Sequence, residues 1–320
     1  MNRLFSLQPL ESRVLKSATG LDFGRVLPIA PRLQWDNNNG YCGETSVQAI
    51  ALSCGTYVSE YASRQMFSLD QSHDLLLDGS LEQVLTDLKL QYEAWNSSAA
   101  APQGAGFLAW TKREITAGAP VIAGIFVSGG SDLDYDHIIP LIGFHSSHDP
   151  THYFSDDQIV YNDNYSIKSQ SQQAGVLLAT RTQAEYRDGV YYLPRNWDFG
   201  YAVKGIVDRN RETATVSLRL NRPDEPNVIE GESATTMQGT ATITQLTPGK
   251  RYALLRYDDW SKVPDSAFLG RGGYKSSYTF IARSATVSVP VGFPSVGCVT
   301  YRCVPAPAPP SHHRSHHRAR

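Results

Sequence analysis

The feature that most constrains the fold is a change of pattern near Asn210. Before this position, segments with the helical spacing of apolar residues come first and short apolar strands follow, which is the order of an α+β domain. After it, alternating strands recur between turn-rich loops, as in a β-sandwich. The chain has 320 residues, more than the commonest size of one domain. The change therefore predicts an α+β domain followed by an all-β sandwich domain.

The pattern gives boundaries for four segments of the chain. Residues 1–33 are expected to form a disordered leader, 34–208 the α+β domain, 209–304 the sandwich, and 305–320 a disordered tail rich in Pro, His and Arg. The strands through Val207 complete the pattern of the first domain before the composition changes. A chain that ends near Asp208 is therefore expected to fold alone.

Composition excludes several classes of partner. A net charge of −2 provides no field for nucleic acid or an anionic membrane, and no apolar run has the length of a membrane span. Four cysteines are too few for a disulfide scaffold. Cys298 and Cys303 can form one bridge if a turn lies between them, whereas a straight strand would point them to opposite faces. The sequence leaves this choice, and the oligomeric state, open.

Cys42 stands where an Asn- and Gly-rich turn meets a helical pattern. Apolar or small residues follow it at the spacing of one buried helix face, namely Val47, Ile50, Ala51 and Cys54. At a helix N-terminus the unpaired N–H groups and the macrodipole favour an anion, so the thiol is biased toward the thiolate. Gly40 and Gly43 leave room for a planar carbonyl, and the side chain of Gln34 can donate to a developing oxyanion. The alternative is a buried structural cysteine, the interpretation that suits Cys54.

A histidine and a polar strand end supply possible partners for the thiol. His137 is the first residue of an apolar, β-rich run, where a rigid backbone can hold a general base beside a cleft. The next short strand runs from Asp157 and ends in Asn162, Asp163 and Asn164. The two strands can pair as a hairpin, which would bring an acid or an amide beside the imidazole.

The order of these residues resembles that of the papain-like cysteine peptidases. The Tyr-Cys-Gly-Glu form around Cys42 is most similar to the branch that processes bacteriocin leaders and to its uncharacterised relatives. The resemblance covers roughly residues 34–207 and implies a two-lobed peptidase domain. Two departures are visible: the gap from Gln34 to Cys42 is longer than is usual in the family, and the papain-type Cys-Gly-Ser-Cys-Trp signature is missing.

The resemblance implies a Cys-His-Asp (or Asn) triad that cleaves amides of a protein or peptide substrate through an acyl-enzyme, without a cofactor. Cys42 would be the nucleophile, His137 the base and Gln34 the oxyanion donor. We choose Asp163 over Asn162 as the third member, because a carboxylate stabilises the imidazolium, and expect Asp163→Ala to cost far more turnover than Asn162→Ala. Two alternatives stay open: a transamidase or acyltransferase that uses the same acyl-enzyme, and an inert binding or adhesion protein with a peptidase-like lobe.

Two shorter resemblances concern the ends of the chain. The segment from Leu10 to Ala18 is similar to one near the N-terminus of large surface and secreted proteins of planctomycete bacteria, which favours export. The segment from Leu246 to Tyr252 resembles the turn of fibronectin type III domains in which a tyrosine forms a tyrosine corner. Both are consistent with an exported protein whose β-sandwich is an accessory domain.

Overall fold

A computed structural model describes residues 23–34, 40–67, 79–126, 137–178, 190–194, 198–221 and 235–307. Among these residues, five α-helices precede residue 178: α1 (Cys42–Ser53), α2 (Glu60–Phe67), α3 (Gly79–Asp87), α4 (Gly104–Ala117) and α5 (Ala174–Leu177). The apolar stripe of α3 is buried as its spacing predicts, with Leu81, Val84, Leu85 and Leu88 at most 1% exposed. The helix bounds agree with the sequence pattern within a few residues.

The strands of the first domain form one antiparallel sheet. They are β1 (Arg25–Val26), β3 (Leu90–Ala94), β4 (Val121–Ile125), β5 (His137–His145), β6 (Gln158–Tyr161), β7 (Gln170–Gln173) and β8 (Gly200–Ile206). Their order is β3-β8-β4-β5-β6-β7, and β1 pairs with β5. His137 opens β5, and β6 pairs with β5 as the predicted hairpin. Helices followed by antiparallel strands confirm the α+β class.

The last third of the chain contains two facing sheets. The strands are β9 (Val216–Leu220), β10 (Thr236–Ile243), β11 (Arg251–Tyr257), β12 (Ser276–Ile281), β13 (Val287–Pro294) and β14 (Cys298–Pro305). One sheet has the order β13-β10-β9 and the other β12-β11-β14-β2, where β2 is Thr56–Val58. Apolar side chains of both sheets share one core. The Tyr252 hydroxyl accepts from the Thr247 amide at 3.0 Å, which is the contact expected of a tyrosine corner.

Strand β2 crosses the expected domain boundary. It follows α1 directly, yet it pairs with β14, so Thr56 lies opposite Thr300. Leu52 and Tyr57 belong to the core of the sandwich, and the Tyr57 hydroxyl donates to the Ser295 carbonyl at 2.8 Å. Strand β2 of the segment 34–208 is therefore part of a sheet of the sandwich, and the expected boundary at residues 208 and 209 does not separate all strands of the two units.

The expected disordered leader also differs from the structure. Leu27 and Ile29 are buried in the core of the first domain. Arg32 is 2% exposed, and its Nε donates to Gln48 Oε1 of α1 at 2.7 Å. Residues 23–33 are thus part of the fold, whereas residues 1–22, which include the segment from Leu10 to Ala18, lie outside the described residues, as do residues 308–320 of the expected tail.

The described residues contain neither a membrane-spanning helix nor a cluster of metal ligands. Among the described residues, no helix is both long enough and apolar enough to cross a membrane. In the same part of the chain, no three His, Cys, Asp or Glu side chains are grouped as ligands for a metal ion.

Candidate active site

Cys42 is the first residue of α1, as the pattern predicts. The helix is almost wholly buried, and Cys42 itself is 7% exposed. Its N-terminus lies against the start of β5, because the Ser46 hydroxyl of the first turn donates to the Ile138 carbonyl at 3.1 Å. Ile138 directly follows His137. The fold therefore brings the thiol-bearing turn to the end of the strand that carries the histidine.

The charge state of the thiol is set mainly by burial. Burial, with a smaller contribution from the nearby carboxylate of Glu44, raises the pKa of Cys42 to about 12. Main-chain hydrogen bonds from Ile138, Gly43 and Cys42 itself act in the opposite direction. Bonds that lower the pKa of an acid stabilise its anion, so these donors are N–H groups. Desolvation thus opposes the bias toward the thiolate that is expected from the helix N-terminus.

His137 is held by the chain segment that follows β6. The ring is 2% exposed, and its Nε2 lies 2.9 Å from the main-chain oxygen of Asp163. A carbonyl oxygen can only accept, so Nε2 carries the proton and Nδ1 has the lone pair in the neutral ring. The ring of Tyr165 stacks on the imidazole, with centroids 4.8 Å apart and planes 14° apart. Orientation and shielding of the imidazole thus come from neighbouring residues of one turn.

The carboxylate of Asp163 has a local role in that turn. Its Oδ1 accepts from the amides of Tyr165 at 3.0 Å and Ser166 at 2.9 Å. Strand β6 ends at Tyr161, so residues 162–164 lie beyond the strand and their side chains need not alternate between its faces. Asp163 does contact His137, but the contact at hydrogen-bond distance is made by its main chain instead of its side chain.

Asn162, the alternative third member, makes structural contacts. It is fully buried, its Nδ2 donates to the Ile29 carbonyl at 3.3 Å, and its Oδ1 accepts from Ser169 at 2.8 Å. Through these two bonds Asn162 connects the N-terminal segment at Ile29 to the loop before β7 at Ser169. They give Asn162 no described link to the imidazole.

Gln34 lies beside the same turn. Its main-chain N–H donates to the main-chain carbonyl of Asn164 at 2.7 Å. Its side-chain Oε1 is buried and has no hydrogen-bond partner among the described residues. No described group therefore holds this oxygen in place. Residues 35–39, which link Gln34 to the turn that carries Cys42, lie outside the described residues.

A buried ion pair lies beside the turn that carries Cys42, and the sequence alone did not predict it. Arg64 of α2 donates through Nε to Glu44 Oε1 at 2.7 Å, with both side chains 1% exposed, and through Nη2 to the Gly40 carbonyl. Its guanidinium lies 3.5 Å from the centroid of the Tyr41 ring. The Tyr-Cys-Gly-Glu run thus anchors the turn on both sides of Cys42. The run itself was visible in the sequence, but nothing marked Arg64 as its partner.

The other cysteines make no bridge. Cys54, Cys298 and Cys303 are free thiols. Cys298 and Cys303 both lie in β14, and they face the cores of the first domain and of the sandwich, respectively. The straight-strand alternative is therefore the one that the structure adopts.

Comparison with known proteins adds no family to this description. No protein-family model matches the chain, and no curated protein is significantly similar to it. The chemistry of the site must therefore be argued from its own residues.

Proposed function

We propose that the first domain is a papain-like, two-lobed cysteine hydrolase that cleaves amide bonds of peptides or proteins. One observation carries the proposal: Cys42 begins a buried helix whose first turn contacts the main chain beside His137, while the Nε2 of that histidine is held by the Asp163 carbonyl. A thiol and an oriented imidazole at one strand end are the minimum for a nucleophile and its base. Gln34, Cys42, His137 and Asp163 remain the residues to which we assign the chemistry.

The tautomer of His137 fixes the direction of proton transfer. With Nε2 donating to Asp163, Nδ1 is the nitrogen that takes the proton from the Cys42 thiol. The resulting thiolate and imidazolium stabilise each other in a site that excludes most water. Because burial and Glu44 both raise the pKa of the thiol, transfer to this imidazole is required for activation.

The reaction then follows acyl transfer in two halves. The sulfur attacks the amide carbonyl, and the carbon–nitrogen bond breaks as the His137 imidazolium gives its proton to the leaving amine. Water next attacks the thioester with His137 as base, the carbon–sulfur bond breaks, and the proton returns to the thiol. The side-chain amide of Gln34 is our candidate for stabilising the oxyanion in both halves.

The raised pKa of Cys42 favours a second candidate, an inert binding protein with a peptidase-like lobe. The two candidates differ in the reactivity of the thiol at mildly acidic pH, where an ordinary thiol with a pKa of about 8.5 is almost unreactive. Iodoacetamide labelling at pH 6, followed site by site by mass spectrometry, compares Cys42 with Cys54 at the other end of α1. Burial also raises the pKa of Cys54, so it is a matched control.

We expect Cys42 to be labelled much faster than Cys54 at pH 6 and this advantage to vanish in His137→Ala. Equal labelling of the two cysteines would favour the inert protein. Cys42→Ser should abolish amide cleavage while the fold is retained, and a competing amine added to the assay separates hydrolysis from acyl transfer.

A further inference from the structure

Asn164 touches both halves of the candidate site with one side-chain amide. It is 1% exposed, and its Nδ2 lies 3.1 Å from the Cys42 carbonyl, 3.1 Å from Ser46 Oγ and 2.9 Å from the Ile138 carbonyl. The first two acceptors belong to the first turn of α1, and the third follows His137 in β5. An amide nitrogen has two hydrogens, so both are used in joining helix to strand.

The main chain of Asn164 also contributes to the candidate site. Its φ of +64° lies in the left-handed region, which asparagine enters more readily than most residues. With the chain reversed there, the preceding carbonyl reaches His137 Nε2 and the following ring of Tyr165 stacks on the imidazole. The carbonyl of Asn164 itself accepts from Gln34. Asn164 thus contacts the main chains of Cys42 and Gln34 directly, and its neighbours Asp163 and Tyr165 contact the ring of His137.

We propose that Asn164 is a positioning residue that fixes the thiol of Cys42 against the imidazole of His137. The inference rests on the proposed function, since only there does the separation of these two groups matter. Its physical basis is that the two hydrogens of one amide reach acceptors on both elements only when α1 and β5 keep their present separation. A displacement of about 1 Å between reacting groups can cost on the order of 100-fold in rate.

Substitutions separate the amide from the backbone conformation. Asn164→Gly tolerates the left-handed φ and removes the amide, whereas Asn164→Ala removes the amide and adds backbone strain. Asn162→Ala is the matched control, because Asn162 is equally buried in the same segment but bonds to Ile29 and Ser169. Asn164→Ser, which keeps a short donor, is measured in case the glycine variant does not fold.

The readout is the rate of iodoacetamide labelling of Cys42 between pH 5 and pH 10, with urea unfolding of each variant. In Asn164→Gly we expect the rate at pH 6 to fall about 10- to 100-fold and the rate at pH 10 to fall less, because hydroxide in solution can then also take the proton of the thiol. Asn162→Ala should lose stability but keep the shape of the pH profile. A merely structural role for Asn164 would not change that shape.

Three outcomes would overturn the proposal. An unchanged pH profile in Asn164→Gly would remove the positioning role and leave the proposed function standing. Failure of both the Gly and Ser variants to fold, while Asn162→Ala folds, would make Asn164 a residue of general stability. Slow labelling of Cys42 at pH 6 in the unsubstituted protein would overturn the proposed function and the positioning role together.

Discussion

The Asp163 carbonyl oxygen lies 2.9 Å from Nε2 of His137, so a main-chain group orients the imidazole. The Asp163 carboxylate meanwhile accepts from the two amides that follow it in the turn. A carbonyl fixes the tautomer without adding a negative charge beside the ring. The structure therefore changes what substitutions at Asp163 are expected to do.

Asp163→Asn should retain turnover within a few-fold, because the asparagine keeps both the main-chain carbonyl and a side-chain oxygen for the turn. Asp163→Ala should lower stability by about 1 kcal/mol through loss of those bonds, with a smaller loss of turnover than the sequence suggested. Steady-state rates and urea unfolding of both variants test this. A loss of 100-fold or more in Asp163→Asn would restore the catalytic role to the carboxylate.

The Glu44–Arg64 pair should behave as a coupled unit. Removing one partner leaves an uncompensated buried charge, so Glu44→Gln or Arg64→Met should each destabilise the fold by about 3–5 kcal/mol. The double variant should recover much of that loss, since no charge is then left alone. A double-mutant cycle by urea unfolding measures the coupling, and simple additivity of the two losses would contradict it.

Asp198 should make the protein less stable as the pH rises. Its carboxylate is fully buried, neither oxygen is hydrogen-bonded to a described residue, and burial raises its pKa to about 7, against about 3.9 when unfolded. Between these values the folded state keeps a proton that the unfolded state releases, so stability falls with pH by roughly 4 kcal/mol in all. Asp198→Asn should remove this dependence and stabilise the protein by roughly 2–3 kcal/mol more at pH 8 than at pH 5.

Unfolding at both pH values checks this prediction, with Asp157→Asn as the control. Asp157 is also fully buried, but it is paired with Lys112 at 2.6 Å. Its substitution should destabilise by about 3–5 kcal/mol at either pH. An equal gain for Asp198→Asn at pH 5 and pH 8 would show that the Asp198 carboxyl does not titrate between them.

A chain truncated at Asp208 should fail to fold, contrary to the expectation from sequence. Without β14, strand β2 has no pairing partner, and Leu52 and Tyr57 lose the core that buries them. Solubility and circular dichroism of residues 1–208 test this, and a soluble, cooperatively unfolding fragment would contradict it. In the full chain, Tyr57→Ala should cost about 3–5 kcal/mol, as other buried aromatic truncations do.

Local patterns predicted the features that depend on local chemistry. The apolar spacing after Cys42 predicted α1, and the apolar run after His137 predicted β5. Both predictions were possible because the spacing of apolar residues along the chain reflects which face of an element is buried. Strand β14 was considered only as one alternative for Cys298 and Cys303. Strand β2 was not foreseen, since only a partner hundreds of residues away makes Thr56–Val58 a strand.

The site was predictable to the same extent. Cys42 and His137 stand where their patterns placed them, whereas the Asp163 carbonyl is a group that every residue carries and no motif reveals. The left-handed φ of Asn164 and the partnership of Arg64 with Glu44 arise from long-range packing. Sequence thus pointed to the candidate thiol and imidazole, and the contacts that hold them in place came only from the fold.

The pairing of β2 with β14 also has a consequence in time. Synthesis proceeds from the N-terminus, and Thr300 follows Thr56 by 244 positions. The contact between their hydroxyls, 3.1 Å apart, can therefore form only late in synthesis. The helix that bears Cys42 runs into β2 and is braced by this pairing. A nascent chain therefore carries its thiol for most of translation without a finished site, and we expect amide cleavage to begin only after residue 305 has left the ribosome.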